Sequence, residues 1–297
     1  MLKRTIVLTN PGYLSCTRNQ LVFEMRESQN QQTAPLEDLS IVVVENLQVT
    51  ISSTLLSECA AKNIAVVICD DKHMPVSMMQ NLAIHSRQTA IYHAQLESSP
   101  VLKKQLWKQT IVQKIKNQAQ VLKLLERKYL DLIQLSDKVL NDDSDNREGV
   151  AARLYWQRLF PDYNFTREPE GFYPNNLLNY GYAILRAATA RALCGSGLLP
   201  TLGIHHRNQY DPFCLADDIM EPYRPFIDLK VVDITYKYPG ETSMSKEIKA
   251  ELLSVLTCDV QFPKYLRPLL LGLTETTASL SNCFQGSIRK LSYPSVK

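Results

Sequence analysis

Glycine is scarce in this chain, ten residues in 297, and the scarcity is informative. The motifs G-x-x-x-x-G-K-[ST], G-x-G-x-x-G and G-x-S-x-G are all missing, which argues against a P-loop nucleotidase, a dinucleotide-binding enzyme and a serine hydrolase of the α/β type. Long apolar runs are missing too. The run at residues 6–8 is cut at once by Thr9, Asn10 and Pro11, short of the roughly 7–15 apolar residues of a signal peptide. Nothing approaches the roughly 18 of a membrane span. The expectation is a soluble, cytoplasmic chain with no membrane partner. Cysteine is too sparse and scattered for a framework: seven residues, at 16, 59, 69, 194, 214, 258 and 283, never spaced C-x-x-C. An odd count without that spacing excludes a zinc knuckle and a disulfide scaffold, and predicts buried free thiols in a reducing compartment. Charge is nearly balanced, at a net +3, too little to indicate a nucleic-acid partner without regard to where the charges lie.

What the chain does contain is a globular composition, 45% hydrophobic and 21% charged, and a change of texture near residue 80. Before it, residues 4–9, 14–17, 21–25, 40–44 and 65–69 are short Val-, Ile-, Leu- and Thr-rich runs separated by Asn, Gly, Pro and Gln turns, the pattern of strands. Helical spacing at Leu55, Leu56, Cys59 and Ala60 predicts one helix over 52–62, capped by Ser52 or Ser53. From residue 82 to 140 apolar residues recur at three and four (Leu102, Leu106, Val112, Ile115, Leu122, Leu125, Tyr129), which predicts a pair of long amphipathic helices. Further helices are expected at 147–160, 176–194, 215–220, 246–258 and 275–291. The class is α+β: an N-terminal β-rich domain, residues 1–80, and an α-helical domain, residues 81–297.

Between residues 101 and 128 stand eight Lys or Arg and one acid, Glu126. A basic stretch is most often a solvated helix face. Here, however, acids are not interleaved at i+4 as in self-stabilising surface helices, and such a helix suits a phosphate backbone. Lys103, Lys104, Lys108 and Lys116 are therefore candidate contacts for double-stranded DNA. The sequence then turns acidic (NDDSDNRE, 141–148) and opens a helix, EGVAARLYW, with Ser144 or Asp145 as cap. Glu148 in its first turn would gain from the helix dipole alone. The small residues Gly149, Ala151 and Ala152 allow close approach of other backbone, and Arg153, Tyr155 and Trp156 would pack behind the acid.

The segment 202–228, LGIHHRNQYDPFCLADDIMEPYRPFID, gathers two of the five histidines, Asp217, Asp218, Glu221 and Arg224. On one helix Asp218 and Glu221, three apart, share a face. Imidazole with carboxylates suits a magnesium or manganese site with open positions. An ordinary acid cluster beside a core histidine would look much the same.

Taken together, PLEDLSIVVVENLQVTISSTLLSECAAKNIAVVICD at 35–70, EGVAARLYW at 148–156, NNLLNYGYAILRA at 175–187 and the 202–228 segment make the chain resemble the CRISPR-associated integrase family. That family is the larger subunit of the spacer-acquisition machinery, and within it the chain resembles the type II variant. The resemblance runs almost the full length. It implies a metal site on Glu148, which opens an E-x-x-x-A-R helix, on His206, third after Gly203, and on Glu221, the last acid of D-x-x-E. His205 is the alternative imidazole, turned away toward the helix at 176–194, and Asp218 supports the ligands. It further implies Mg2+ or Mn2+ as cofactor, Arg224 among the DNA contacts, and a homodimer joined through residues 1–80. Two such dimers would be bridged by a small ferredoxin-like CRISPR-associated partner, with other type II CRISPR proteins as possible additions. The reaction would be transesterification by a DNA 3′-hydroxyl, with activity falling below about pH 6.5 as the liganding imidazole charges. The rival readings are a metal-dependent nuclease on branched or double-stranded DNA, a non-catalytic DNA-binding scaffold, and a structural protein with a fortuitous acid cluster.

Overall fold

In the computed structural model, residues 4–26, 30–71, 73–79, 81, 85–161, 165–168 and 171–297 are described. The chain separates into two compact units, Met1–Gln88 and Thr89–Lys297, where the sequence placed the division after residue 80.

The first unit contains two four-stranded sheets. In one, β1 (Arg4–Leu8), β5 (Leu39–Val44) and β7 (Ala65–Cys69) run parallel, and β8 (Pro75–Met79) adds antiparallel to β7. β5 reads LSIVVV and is buried at every position, as a strand covered on both faces should be. In the other, β2 (Gly12–Thr17) and β3 (Gln20–Met25) form a hairpin, β4 (Gln31–Pro35) follows antiparallel, and β6 (Val49–Ile51) lies parallel to β2. The hairpin turns on Arg18 and Asn19, both at positive φ (48° and 65°), the conformation that matches strand twist in two-residue loops. Leu14, Leu21, Phe23, Leu36, Leu39 and Val42 form its core together with Leu55 and Cys59 of α1 (Ser53–Ala61). Ser52 caps that helix through the Leu55 amide. β4, β6 and β8 went unread: β4 is polar, β6 is three residues long, and β8 opens on a proline with a single β-branched residue. All seven cysteines are free, and burial pushes the thiols of Cys59, Cys194, Cys258 and Cys283 up to about 11, which leaves them non-nucleophilic.

The second unit is built around α3 (Pro100–Leu124), capped by Ser99 with Pro100 in the first turn. The expected pair of long helices is instead one, flanked by the short α2 (Gln88–Leu96) and α4 (Leu130–Asp137); the start of that run, residues 82–84, lies outside the described residues. α5 (Arg147–Leu159) and α6 (Asn175–Gly195) lie close to the expected ranges. α7 (Cys214–Met220) passes through a 3-10 turn, Glu221–Tyr223, into α8 (Arg224–Lys237). α8 was not foreseen: it is buried over most of its circumference, so it shows no amphipathic stripe to read. A Cβ on Gly181 of α6 would meet the Ile227 side chain of α8 at 2.5 Å, so glycine permits this approach. α9 (Lys246–Ser254) ends early and a hairpin, β9 (Asp259–Phe262) and β10 (Tyr265–Pro268), precedes α10 (Leu269–Phe284). The sequence pattern had extended helix to the start of this hairpin and placed α10 six residues late. Residues 288–297 lie along α3. There Gln109 binds the Arg289 carbonyl and the Leu291 amide, Gln113 and Asn117 donate to the Pro294 carbonyl, and Ser295 bridges to Gln261 of β9.

Candidate metal and phosphoryl-transfer site

Three separated stretches of the second unit, α3, the start of α5 and the α7–α8 junction, bring Glu148 and Glu221 together, and the loop before α7 carries His206. Glu148 lies in the first turn of α5. That turn is set by Asn146, a cap at left-handed φ and ψ (52°, 47°) whose side chain accepts the Gly149 amide. Asp143 accepts the amides of Arg147 (2.9 Å) and Glu148 (3.0 Å). The cap is therefore a pair, Asp143 and Asn146, neither of which was among the expected residues. Tyr155 does not back Glu148; it is buried and donates to Asp228.

Glu221 sits where α7 tightens into the 3-10 turn, with only 6% of its side chain exposed. Its Oε1 pairs with Arg224 at 3.0 Å and its Oε2 with Lys114 of α3 at 2.5 Å. The same Lys114 ammonium stands 2.5 Å from Glu148 Oε1. Two carboxylates from different helices thus close on one cationic nitrogen. Burial alone would push the Glu221 carboxyl up, but Arg224 and Lys114 outweigh it and hold it below the usual range. Burial alone would lower Lys114, and Glu221 and Glu148 reverse that, holding its ammonium above the ordinary lysine value. Lys114 was counted among the basic residues but not singled out. Its signal was positional: it falls between Ile111 and Gln118 on the inward face of α3, where lysine is almost never buried unless paired.

His206 is held by Asp218, which is fully buried (0% exposed). Asp218 Oδ2 accepts the amides of Ile204 (2.7 Å) and His205 (2.9 Å), and Oδ1 accepts the His206 amide (3.2 Å) and contacts His206 Nδ1 at 2.6 Å. With Nδ1 committed to the carboxylate, Nε2 keeps its lone pair for a ligand, the arrangement by which carboxylates orient metal-binding histidines. The Asp218 contact raises the His206 pKa above its ordinary value, against a smaller opposing effect of burial. Gly203 makes the loop possible: a Cβ there would meet the His206 carbonyl oxygen at 2.3 Å and Asp218 Oδ2 at 2.8 Å. His205, expected to face α6, instead stacks on Trp107 of α3 (4.2 Å between ring centroids, 4° between planes), with Nδ1 3.5 Å from Asp142.

Among the described residues, no three His, Cys, Asp or Glu side chains yet close on a common point. The donor chemistry nevertheless fits a divalent cation. Two carboxylates already converge on one positive centre, and an imidazole with a free Nε2 is electrostatically coupled to Glu221. Oxygen donors with one imidazole suit magnesium or manganese.

The expected DNA contacts are distributed differently. α3 is buried on most of its circumference, so its lysines form no continuous stripe. Lys104 and Lys116 are exposed, Lys103 and Lys108 half-buried, and Lys104 pairs with Asp142 at 3.2 Å. Lys116 lines an open groove of about 760 Å³ with Gln109, Lys290 and Tyr293. Arg224 is committed to Glu221 and stacks on the Tyr182 ring at 4.7 Å. It therefore stands beside Glu221.

The family described as CRISPR associated protein Cas1 matches residues 6–241. A relative from Neisseria meningitidis serogroup C, named CRISPR-associated endonuclease Cas1, is 38% identical over 261 residues, 86% of this chain and 84% of that protein. Among solved structures, a casposase bound to integration product superposes with a TM-score of 0.78 at 17% identity, over 97% of this chain and 92% of the casposase. A chain of a Cas6-RT-Cas1–Cas2 complex superposes at 0.75 and 20% identity, over 99% of this chain and 36% of the longer one. The chain belongs to the Cas1 family.

Proposed function

We propose that this chain is the metal-dependent integrase of a type II CRISPR system, inserting captured DNA fragments into the array by transesterification. The observation that carries this reading is the convergence of Glu148 and Glu221 on one cationic point, with His206 oriented beside them by Asp218. The endonuclease name of the Neisseria relative and the integration product held by the structurally similar casposase support the choice of reaction.

Glu148, His206 and Glu221 would hold Mg2+ or Mn2+, which supplies Lewis-acid stabilisation of charge on the phosphoryl oxygens. Asp218 keeps the Nδ1 proton of His206 and so presents the neutral nitrogen. Arg224 and Lys114 place positive charge beside the carboxylates, where a scissile phosphate brings negative charge. The 3′-hydroxyl of the incoming strand forms one P–O bond as the target strand's P–O bond breaks, so the count of phosphodiesters is unchanged and no nucleotide cofactor is consumed. No protein nucleophile is required, in keeping with the raised, buried thiols.

The first unit is proposed as the homodimerisation domain. A small ferredoxin-like partner of the Cas2 kind would bridge two dimers, by analogy with the Cas1–Cas2 assembly among the structural relatives; other type II CRISPR proteins would join them. No helix among the described residues is long and apolar enough to cross a membrane, which is compatible with work in the cytoplasm.

The test is an integration assay on supercoiled target with the small partner and Mn2+. Joined products are expected from the wild type, and Glu221→Gln is expected to lose them while retaining metal-free DNA binding. Wild-type levels of joined product from that variant would refute the site, and nicks without joining would mark a nuclease instead.

A further inference from the structure

Outside the three proposed ligands, the most unusual group in the second unit is Lys114. A lysine is placed on the inward face of a rigid 25-residue helix, 11% exposed, with its ammonium 2.5 Å from each of two carboxylates. With Arg224 it matches the charge of Glu148 and Glu221 one for one, so these two carboxylates are already neutralised before any divalent cation arrives. A dication entering between them must displace the ammonium, and then leaves more positive charge than the acids of the site can match in a poorly hydrated place. Such an excess is unfavourable unless an anion joins it.

We propose that Lys114 is an internal counter-ion that makes divalent-cation binding and DNA binding depend on each other. It occupies the carboxylates when the site is empty, and when displaced it turns its charge to a phosphate of the bound strand. This rests on the reading of Glu148, His206 and Glu221 as the metal site and adds to it a coupling residue. The consequence is a site that binds the cation weakly without DNA and tightly with it. Reciprocity requires that the cation tighten DNA by the same factor. A free chain would then be poorly loaded and inert toward stray phosphodiesters. The bridge Glu148–Lys114–Glu221 also holds α3, α5 and the 3-10 turn in place before loading, so the ligands are positioned in advance of the ion.

Mn2+ binding to the full chain is measured by the electron paramagnetic resonance of the free ion, with and without a short duplex oligonucleotide, and the ion bound by DNA alone is subtracted. The wild type is expected to bind Mn2+ about tenfold more tightly with the duplex, within the usual range of couplings. Lys114→Gln is expected to bind Mn2+ about tenfold more tightly than the wild type without DNA, and to gain little when DNA is added. Lys114→Arg, which keeps the charge, should behave as the wild type. A wild-type affinity unmoved by the duplex overturns the proposal. So does a Lys114→Gln affinity equal to or weaker than wild type. Should Lys114→Gln fail to fold, the wild type with and without DNA and the Arg variant still decide it. If Glu148→Gln and Glu221→Gln bind Mn2+ as the wild type does, the metal site itself is wrong, a failure distinct from loss of the coupling alone.

Discussion

Asp218→Asn keeps the shape of the side chain and removes its charge, and its effect can be worked from the hydrogen bonds. The carboxylate accepts three backbone amides and contacts the His206 ring nitrogen, with no exposed surface. An asparagine can present its oxygen either to Ile204 and His205 or to His206, never to both. Whichever way it turns, its NH2 faces two donors that had an acceptor. Hydrogen bonds to a charged group contribute about 1.5–3 kcal/mol each, so losing two costs about 3–6 kcal/mol. The unit Thr89–Lys297 holds 209 residues, a size at which each kcal/mol moves the melting temperature by about 2–4 °C. A fall of roughly 6–24 °C is expected in a metal-free thermal melt. Because His206 also loses the partner that fixes its tautomer, Mn2+ affinity should fall about 10- to 100-fold. A variant that melts within about 2 °C of the wild type, with unchanged Mn2+ affinity, would show that Asp218 neither shapes the loop nor orients the imidazole.

Replacing His206 by alanine should lose joined products across a manganese titration, whereas His205→Ala, which gives up a stack on Trp107, should retain them; the opposite pattern reverses the ligand. Neutralising Lys103, Lys104, Lys108 and Lys116 together should weaken DNA binding for all sequences alike. It should also flatten the dependence of log K on log salt, by about 0.9 for each phosphate no longer neutralised, and an unchanged slope would leave these lysines no role in DNA binding. The Asp228 carboxyl is pushed up to about 7 by burial, against the opposing hydrogen bonds of Tyr182 and Tyr155. The folded state therefore binds a proton there that the unfolded chain releases near pH 4, and this group's contribution is lost as pH rises from about 4 to about 7. Melting curves across that window should show Asp228→Asn less dependent on pH than the wild type, and identical dependence would remove Asp228 as the cause.

Much of the first unit was legible because its strands are short β-branched runs between turn residues, and Ser52 announces its helix. Gln31–Pro35 escaped because it is a polar edge segment with no apolar alternation. In the second unit α5 and α6 were readable from their spacing. α8 was not, because burial on most sides erases the periodicity on which such a reading depends. Glu148, His206 and Glu221 were assigned by resemblance to a family motif; their residue types alone allowed an ordinary acid cluster. What no motif carried was Lys114, since its partners lie 34 residues away in Glu148 and farther still in Glu221. Charge pattern along one helix cannot show which of eight basic residues meets acids brought by other elements. The same holds for Arg224, whose place beside Glu221 depends on a 3-10 turn just past the end of the helix read at 215–220.

The strand-like tail along α3 bears on the order in which the molecule is made. Asn117 donates to the Pro222 carbonyl, beside Glu221, and to the Pro294 carbonyl, and it accepts the Val296 amide. Gln109 and Gln113 reach the same tail across 180 to 182 residues of sequence. Contacts of such separation form late, because the chain between them must first be ordered. During synthesis, which proceeds from the N-terminus, α3 waits with its polar face unpaired until residues 288–297 have left the ribosome. The first unit, whose pairings are closed by residue 79, can fold long before. A nascent chain would thus acquire its strand-rich unit early and the packing around α3 only after residues 288–297 have been made.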